Sequence, residues 1–205
     1  MPRPNPTDLP LTLLQMAGAP LAPPPLTDSA VVLIDFQNEY VDGALPLPGA
    51  QDSLAAAGRL LERARSAGAP VIHVAHKGRA GGLFDRDARS GRIADAVQPH
   101  AGEAVVEKGL PNAFAGTALD ALLKDLGRST IVVAGFMTHM CVSSTVRAAL
   151  DLGYRAVVVG DATATRSLPA PGGQGVVDAA ALQAASLAAL GDRFAIVVAA
   201  PEDLD

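Results

Sequence analysis

The sequence predicts an α/β domain: a mostly parallel sheet of six strands, covered by helices on both faces. Three observations carry this. From Ala30 onward, short runs rich in Val, Ile and Ala alternate with segments of helical period, the pattern of buried strands joined by crossover helices. Gly68, Gly127, Gly153 and Gly191 each close a helical segment shortly ahead of a strand, as a left-handed helix cap does. Asp35, His76, Lys108, the turn before Cys141, and Asp161 all fall at the carboxyl ends of strands, the edge where a parallel sheet places its chemistry.

The elements follow in order. Eight of the sixteen prolines lie within residues 1–25, so residues 1–28 read as an arm, with a short helix over 11–16, and residues 29–205 as one domain. Strands are expected at 30–36, 70–75, 104–107, 129–135, 156–160 and 194–198, each an apolar run bounded by turn residues. Between them, helical spacing sets Leu54, Ala57, Leu60, Leu61 and Ala64 on one face; Leu119, Leu122, Leu123 and Leu126 on a second; Ala148, Ala149 and Leu152 on a third; and Val177, Ala180, Ala184 and Leu187 on a fourth. Residues 77–103 break the rhythm with Gly78, Gly81, Gly82 and Gly91, and read as a long connection shaping a pocket mouth. Pro169 to Gly173 is a second, shorter one.

Composition narrows the function. A chain of 205 residues buries roughly 70% of its unfolded surface and needs no staple. It is 49% hydrophobic without an apolar run long enough for a membrane span, so no membrane role is expected. The formal charge of −5 and the absence of Trp or a basic stripe speak against nucleic acid, leaving a small-molecule substrate. The opening Met1-Pro2-Arg3-Pro4-Asn5-Pro6 is a poor start for a secretory signal, and a single cysteine fits a reducing compartment, so a cytoplasmic location is expected.

The strand tips carry the functional signal. Asp35 ends the run Val31-Val32-Leu33-Ile34, so its carboxyl sits at the edge of a low-dielectric core and titrates high unless a cation pairs with it. Lys108, after Val105-Val106-Glu107, could be that cation. Cys141 stands where a strand-like run gives way to a helix-like one, and the helix N-terminus is expected to favour its thiolate. Acid, amine and thiol at one edge make a nucleophilic site. Spacing alone fits equally an Asp35–Lys108 ion pair with Cys141 as apolar filling.

Other features are weaker. His139, two residues from Cys141, is turned about 200° away on a helix and reads as a pocket-wall or partner-facing residue, not a base. His73 and His76 sit on opposite faces of a strand and form no metal pair. Gly172-Gly173-Gln174-Gly175 lacks a preceding strand, and Asp35-Phe36-Gln37-Asn38 stands where a dinucleotide-binding domain needs glycines.

Three blocks, Val31 to Glu39, Glu107-Lys108-Gly109-Leu110-Pro111-Asn112-Ala113-Phe114, and Gly135 to Thr145, in this order and spacing, resemble the isochorismatase-like cysteine hydrolases. Asp161-Ala162-Thr163-Ala164-Thr165 is similar too, and the likeness spans roughly residues 29 to 199. The resemblance implies a three-layer α/β fold, a catalytic Asp35, Lys108 and Cys141, no cofactor, and a cis peptide before the nucleophile, matched here to Met137–Thr138. It also implies hydrolysis of a small amide or related carbon–nitrogen bond through a thioester, with Thr138 and Cys141 lending backbone N–H groups to the oxyanion. Gln37, His76, Asn112 and Phe114 are candidate pocket residues. The ether-cleaving isochorismatases lack the cysteine, and the metal-holding Asp-x-His of nicotinamidases is missing, since Asp52 is followed by Ser53 and Leu54. Family members assemble as dimers or larger oligomers, so a homodimer or homotetramer is expected. The competing expectations are ether hydrolysis and a non-catalytic, redox-sensing thiol on the same fold.

Overall fold

The computed structural model describes residues 9–205, and the first eight residues of the expected arm lie outside the described residues. β1 (Ser29–Ile34) is buried at every position, because its apolar side chains point alternately into cores on both faces. β2 (Val71–His76), β3 (Ala104–Lys108), β4 (Thr130–Phe136) and β5 (Arg155–Ala164) follow. A small antiparallel ribbon, β6 (Leu168–Pro169) with β7 (Val176–Val177), occupies the second connection, and β8 (Ala195–Val198) completes the set. Six of these strands form one wholly parallel sheet in the order β3-β2-β1-β4-β5-β8.

That order decides where a site can form. The chain winds outward from β1 through β2 to β3, then returns to the middle and winds the other way through β4, β5 and β8. The reversal lies between β1 and β4, and the helices that leave their carboxyl ends part there, opening a crevice. Gly135 lets the two strands close on it: its φ is +146°, and a Cβ there would stand 2.1 Å from the Ile34 carbonyl oxygen.

After α1 (Leu13–Met16) in the arm, four helices make the outer layers: α2 (Ala50–Ser66), α3 (Leu119–Asp125), α4 (Ser143–Asp151) and α5 (Ala179–Arg193). α2 seals one core with Leu54, Ala57, Leu60 and Leu61 against Val31, Leu33, Val132 and Val157. The opposite core joins Leu119, Leu123, Val146 and Leu190 to Val32, Ile72, Ile131 and Val158. Each fully buried Leu contributes about 1.5–3 kcal/mol over its exposed state. The layers are thus helix, sheet, helix, as expected.

Two local expectations are corrected. Gly68, Gly127 and Gly153 take left-handed caps, but Gly191 lies inside α5, which runs on to Arg193. β5 is ten residues long, because its pairing with β4 shifts register past Val133 and then resumes at Gly135↔Thr163. The described part of the arm lies on its own domain: the Leu13 N–H donates to Asp192 Oδ1 at 2.8 Å, and Arg155 Nη2 donates to the carbonyls of Pro20 and Ala22 at 2.9 and 3.0 Å.

Candidate active site

Three side chains that the sequence scatters meet in the crevice. The chain leaves β1 at Asp35, whose left-handed φ of 54° and tight turn, with the Gln37 N–H donating to the Asp35 carbonyl at 2.7 Å, send the carboxylate under the sheet edge. Asp is among the few residues that tolerate this conformation. Lys108 ends β3 and lays its stem across the end of β2, so that its Nζ stands 2.7 Å from Asp35 Oδ2 with both side chains wholly buried. The same Nζ is 3.3 Å from Cys141 Sγ and 3.4 Å from His76 Nδ1. An ammonium has three N–H groups, and three acceptors surround this one.

The electrostatics correct one expectation. Cys141 is 4% exposed, and its thiol is pushed up to about 12, first by burial and then by the Asp35 charge, against the pull of Lys108. Burial and the Asp35 charge thus override the expected thiolate preference at the helix start, where Cys141 lies in a wide π turn, Thr138–Val142, that runs into α4 at Ser143. The N–H groups of Met140 and Val142 fold back onto the Met137 carbonyl at 3.0 and 3.2 Å. Asp35 is also raised, because burial outweighs the stabilisation its carboxylate draws from Lys108 and from the Cys141 thiol. Its two oxygens make no other well-aligned hydrogen bond among the described residues, so the carboxylate keeps accepting capacity. The resting arrangement is a protonated thiol beside a carboxylate that holds an ammonium.

The remaining expected residues are placed as follows. Gln37 is buried with both ends of its amide engaged: Nε2 donates to the carbonyls of His76 (2.9 Å) and Gly91 (2.7 Å), and Oε1 accepts the His76 N–H at 2.8 Å. It braces the tips of β1 and β2 and leaves no amide group free for a substrate. His76 is half-buried, its ring edge-on to Phe84 with centroids 5.2 Å apart, and burial and Lys108 depress its pKa. Asn112 Oδ1 accepts the Phe114 N–H at 2.9 Å, and the Phe114 ring stacks on Tyr154. Thr138 and Met137 are buried, and Thr138 Oγ1 has no partner among the described residues. The non-proline cis bond is Phe136–Met137, one residue before the expected Met137–Thr138. β4 keeps its ladder through Phe136 and helical backbone begins at Thr138, so the reversal falls on the strand's last peptide.

Asp161 is not in the site. The shifted register leaves it exposed on β5, in a groove of about 960 Å³ between α2 and α5 that Asp52, Ser53, Gln183 and Leu187 also line. The groove contains none of the three converging groups. Thr165 and Arg166, beyond the lengthened β5, take the place expected for Asp161. Thr165 Oγ1 bonds His139 Nδ1, and the Arg166 charge is felt by both His139 and Tyr40.

Sequence reasoning missed Tyr40, Glu39 and Arg166. Tyr40 is buried beside Phe136 and Phe84, and its phenol is raised first by burial and then by the nearby Asp35 charge. Glu39 accepts the N–H groups of Ala44 and Phe84, pinning the long connection to the tip of β1. Arg166 makes no ion pair among the described residues, and its Nε is buried without a partner. Among the described residues, no three His, Cys, Asp or Glu side chains cluster as metal ligands, and no helix is long and apolar enough to cross a membrane.

Comparison with known proteins places the chain in a family. Residues 29–202 match the model of the isochorismatase domain. The crystal structure of an isochorismatase from Pseudomonas putida superposes with a TM-score of 0.91 at 41% identity, covering 96% of this chain and all of that one (100%). A secreted isochorismatase effector of Verticillium dahliae is 37% identical over 91% of this chain and 96% of its own length. Streptothricin hydrolase of Streptomyces noursei is 38% identical over 82% of this chain and 61% of its own. Maleamate amidohydrolase of Pseudomonas putida is 31% identical over 67% of this chain and 72% of its own.

Proposed function

This chain belongs to the isochorismatase family of hydrolases, and from that premise we propose that it cleaves a small amide, or a related carbon–nitrogen bond, through a thioester on Cys141. The observation that carries the reading is the Lys108 ammonium held between a buried carboxylate (2.7 Å) and the chain's one thiol (3.3 Å). Moving the proton from Sγ to Asp35 leaves the net charge of the buried group unchanged, and the ammonium stays paired with whichever anion results. The transfer therefore escapes the large cost of creating a new charge in a low-dielectric site.

Asp35 accepts the thiol proton as sulfur attacks the carbonyl carbon, and the carbonyl π pair moves to oxygen. Backbone N–H groups of Thr138 and Cys141 take the oxyanion, each such donor being worth about 2.7–4 kcal/mol. Collapse breaks the carbon–nitrogen bond, and the departing amine takes the proton from Asp35. Water then delivers a proton to the same carboxylate while its oxygen attacks the thioester. The acid leaves, and the sulfur recovers its proton from Asp35. Amide-cleaving relatives such as maleamate amidohydrolase support this direction.

Arg166 narrows the substrate. A guanidinium without a carboxylate partner among the described residues, near His139 and Tyr40 at the end of β5, favours amides whose far end is anionic. Intact-mass screening against neutral, acidic and basic amides is the test. A transient acyl adduct on Cys141, strongest with acidic amides, is expected. Ether hydrolysis is the second reading, since the Verticillium dahliae relative is called an isochorismatase, and turnover surviving in Cys141→Ala would favour it.

A further inference from the structure

The geometry points to His76 as a positioning residue: its Nδ1 takes the third N–H of the Lys108 ammonium and so aims the other two at Asp35 and Cys141. The inference rests on Lys108 belonging to the proposed catalytic group. His76 and Lys108 are register partners on the parallel strands β2 and β3, so their side chains leave the sheet side by side. The 3.4 Å contact from Nζ to Nδ1 leaves the imidazole one part to play, because an ammonium donates only and the ring nitrogen facing it must offer a lone pair. The ring is therefore neutral, with its proton on Nε2.

The ring is also held in place. The peptide groups on both sides of the His76 backbone are gripped by the Gln37 amide, and the Phe84 ring packs against the imidazole edge. The charged groups that face it are Lys108 from β3 and Asp35 from the end of β1, with the Cys141 thiol beyond; its neighbour Lys77 is occupied with Glu107 at 2.8 Å. A proton on Nδ1 would remove the acceptor and set two cations 3.4 Å apart. Lys108 would then turn from the imidazole, and the three-way alignment would be lost. The depressed pKa of His76 keeps this from happening near neutrality.

The chain has one cysteine, so alkylation by iodoacetamide, read as intact mass, reports on Cys141 alone. In the unmodified protein the rate should bend downward, beyond the ordinary loss of thiolate, as pH falls through the titration of His76. His76→Asn keeps an acceptor oxygen but cannot titrate, and should lose the bend while holding most of the neutral-pH rate. His76→Leu should be slower by about tenfold, the effect of one lost hydrogen bond to a charged group. Imidazole ¹⁵N spectra of the intact protein supply a readout independent of variant folding. They should show Nδ1 bare and Nε2 protonated, with the His76 titration moving upward in Lys108→Met. A proton on Nδ1, or an unchanged bend in His76→Asn, overturns the inference. If no amide yields an acyl adduct, the proposed reaction fails while these readouts stand.

Discussion

Cys141 keeps its proton at rest because burial and the Asp35 carboxylate both oppose a second anion, and one ammonium cannot offset them. A base that accepts the proton only as sulfur commits to attack is then required, and Asp35, raised by burial, suits it. Cys141→Ala should abolish both alkylation and acyl capture while shifting the urea midpoint little, since one buried sulfur is removed. Lys108→Ala should raise the thiol pKa still further, seen as slower alkylation at neutral pH. It also strands a wholly buried carboxylate, at a cost of about 3–5 kcal/mol. In that variant the folded-state pKa of Asp35 lies above its unfolded value, so folding takes up a proton and the deficit in urea stability should shrink as pH falls. The three residues were legible because each lies at, or within a turn of, the carboxyl end of a strand run. The protonation state of the thiol was not, for it depends on two side chains that join it only through the sheet.

The junction of α2, β2 and the long connection depends on Glu103. Arg65 of α2 forks onto its two oxygens at 2.8 and 2.9 Å, His73 of β2 meets it at 2.9 Å, and the His100 N–H donates at 2.8 Å. These partners, Arg65 foremost, hold Glu103 down at about 2, against an ordinary value of 4.5. The unfolded chain binds the proton first on acidification, so this stabilisation is complete above pH 4.5 and disappears as pH falls towards about 2. Glu103→Gln should cost roughly 3 kcal/mol at neutral pH, and stability should then fall less steeply over that acid range, as read from urea midpoints. The beginnings of the strands were readable from apolar runs and turn residues. The extension of β5 was not, because pairing with β4 resumes beyond a register shift that no residue pattern marks. That is why Asp161 stood in the sequence reading where Thr165 and Arg166 stand in the structure.

At the scale of the whole molecule, the sheet separates two cores. Leu60 of α2 and Leu123 of α3 are each fully buried, on opposite faces. Each Leu→Ala change should cost about 2–5 kcal/mol, and the double variant should lose the sum within about 0.5 kcal/mol, with one cooperative urea transition. A shortfall from the sum would mean that the two faces communicate through the strands. The order β3-β2-β1-β4 has a consequence for the newborn chain. Lysine arrives from an outer strand and sulfur from past the winding reversal, so no fragment that stops short of β4 and the turn after it owns a working centre. Until β4 docks beside β1, the polypeptide carries an ordinary thiol near 9, freer to ionise than the finished one near 12. Maturation therefore makes this sulfur quieter towards stray electrophiles at the same moment that it equips it for its own substrate.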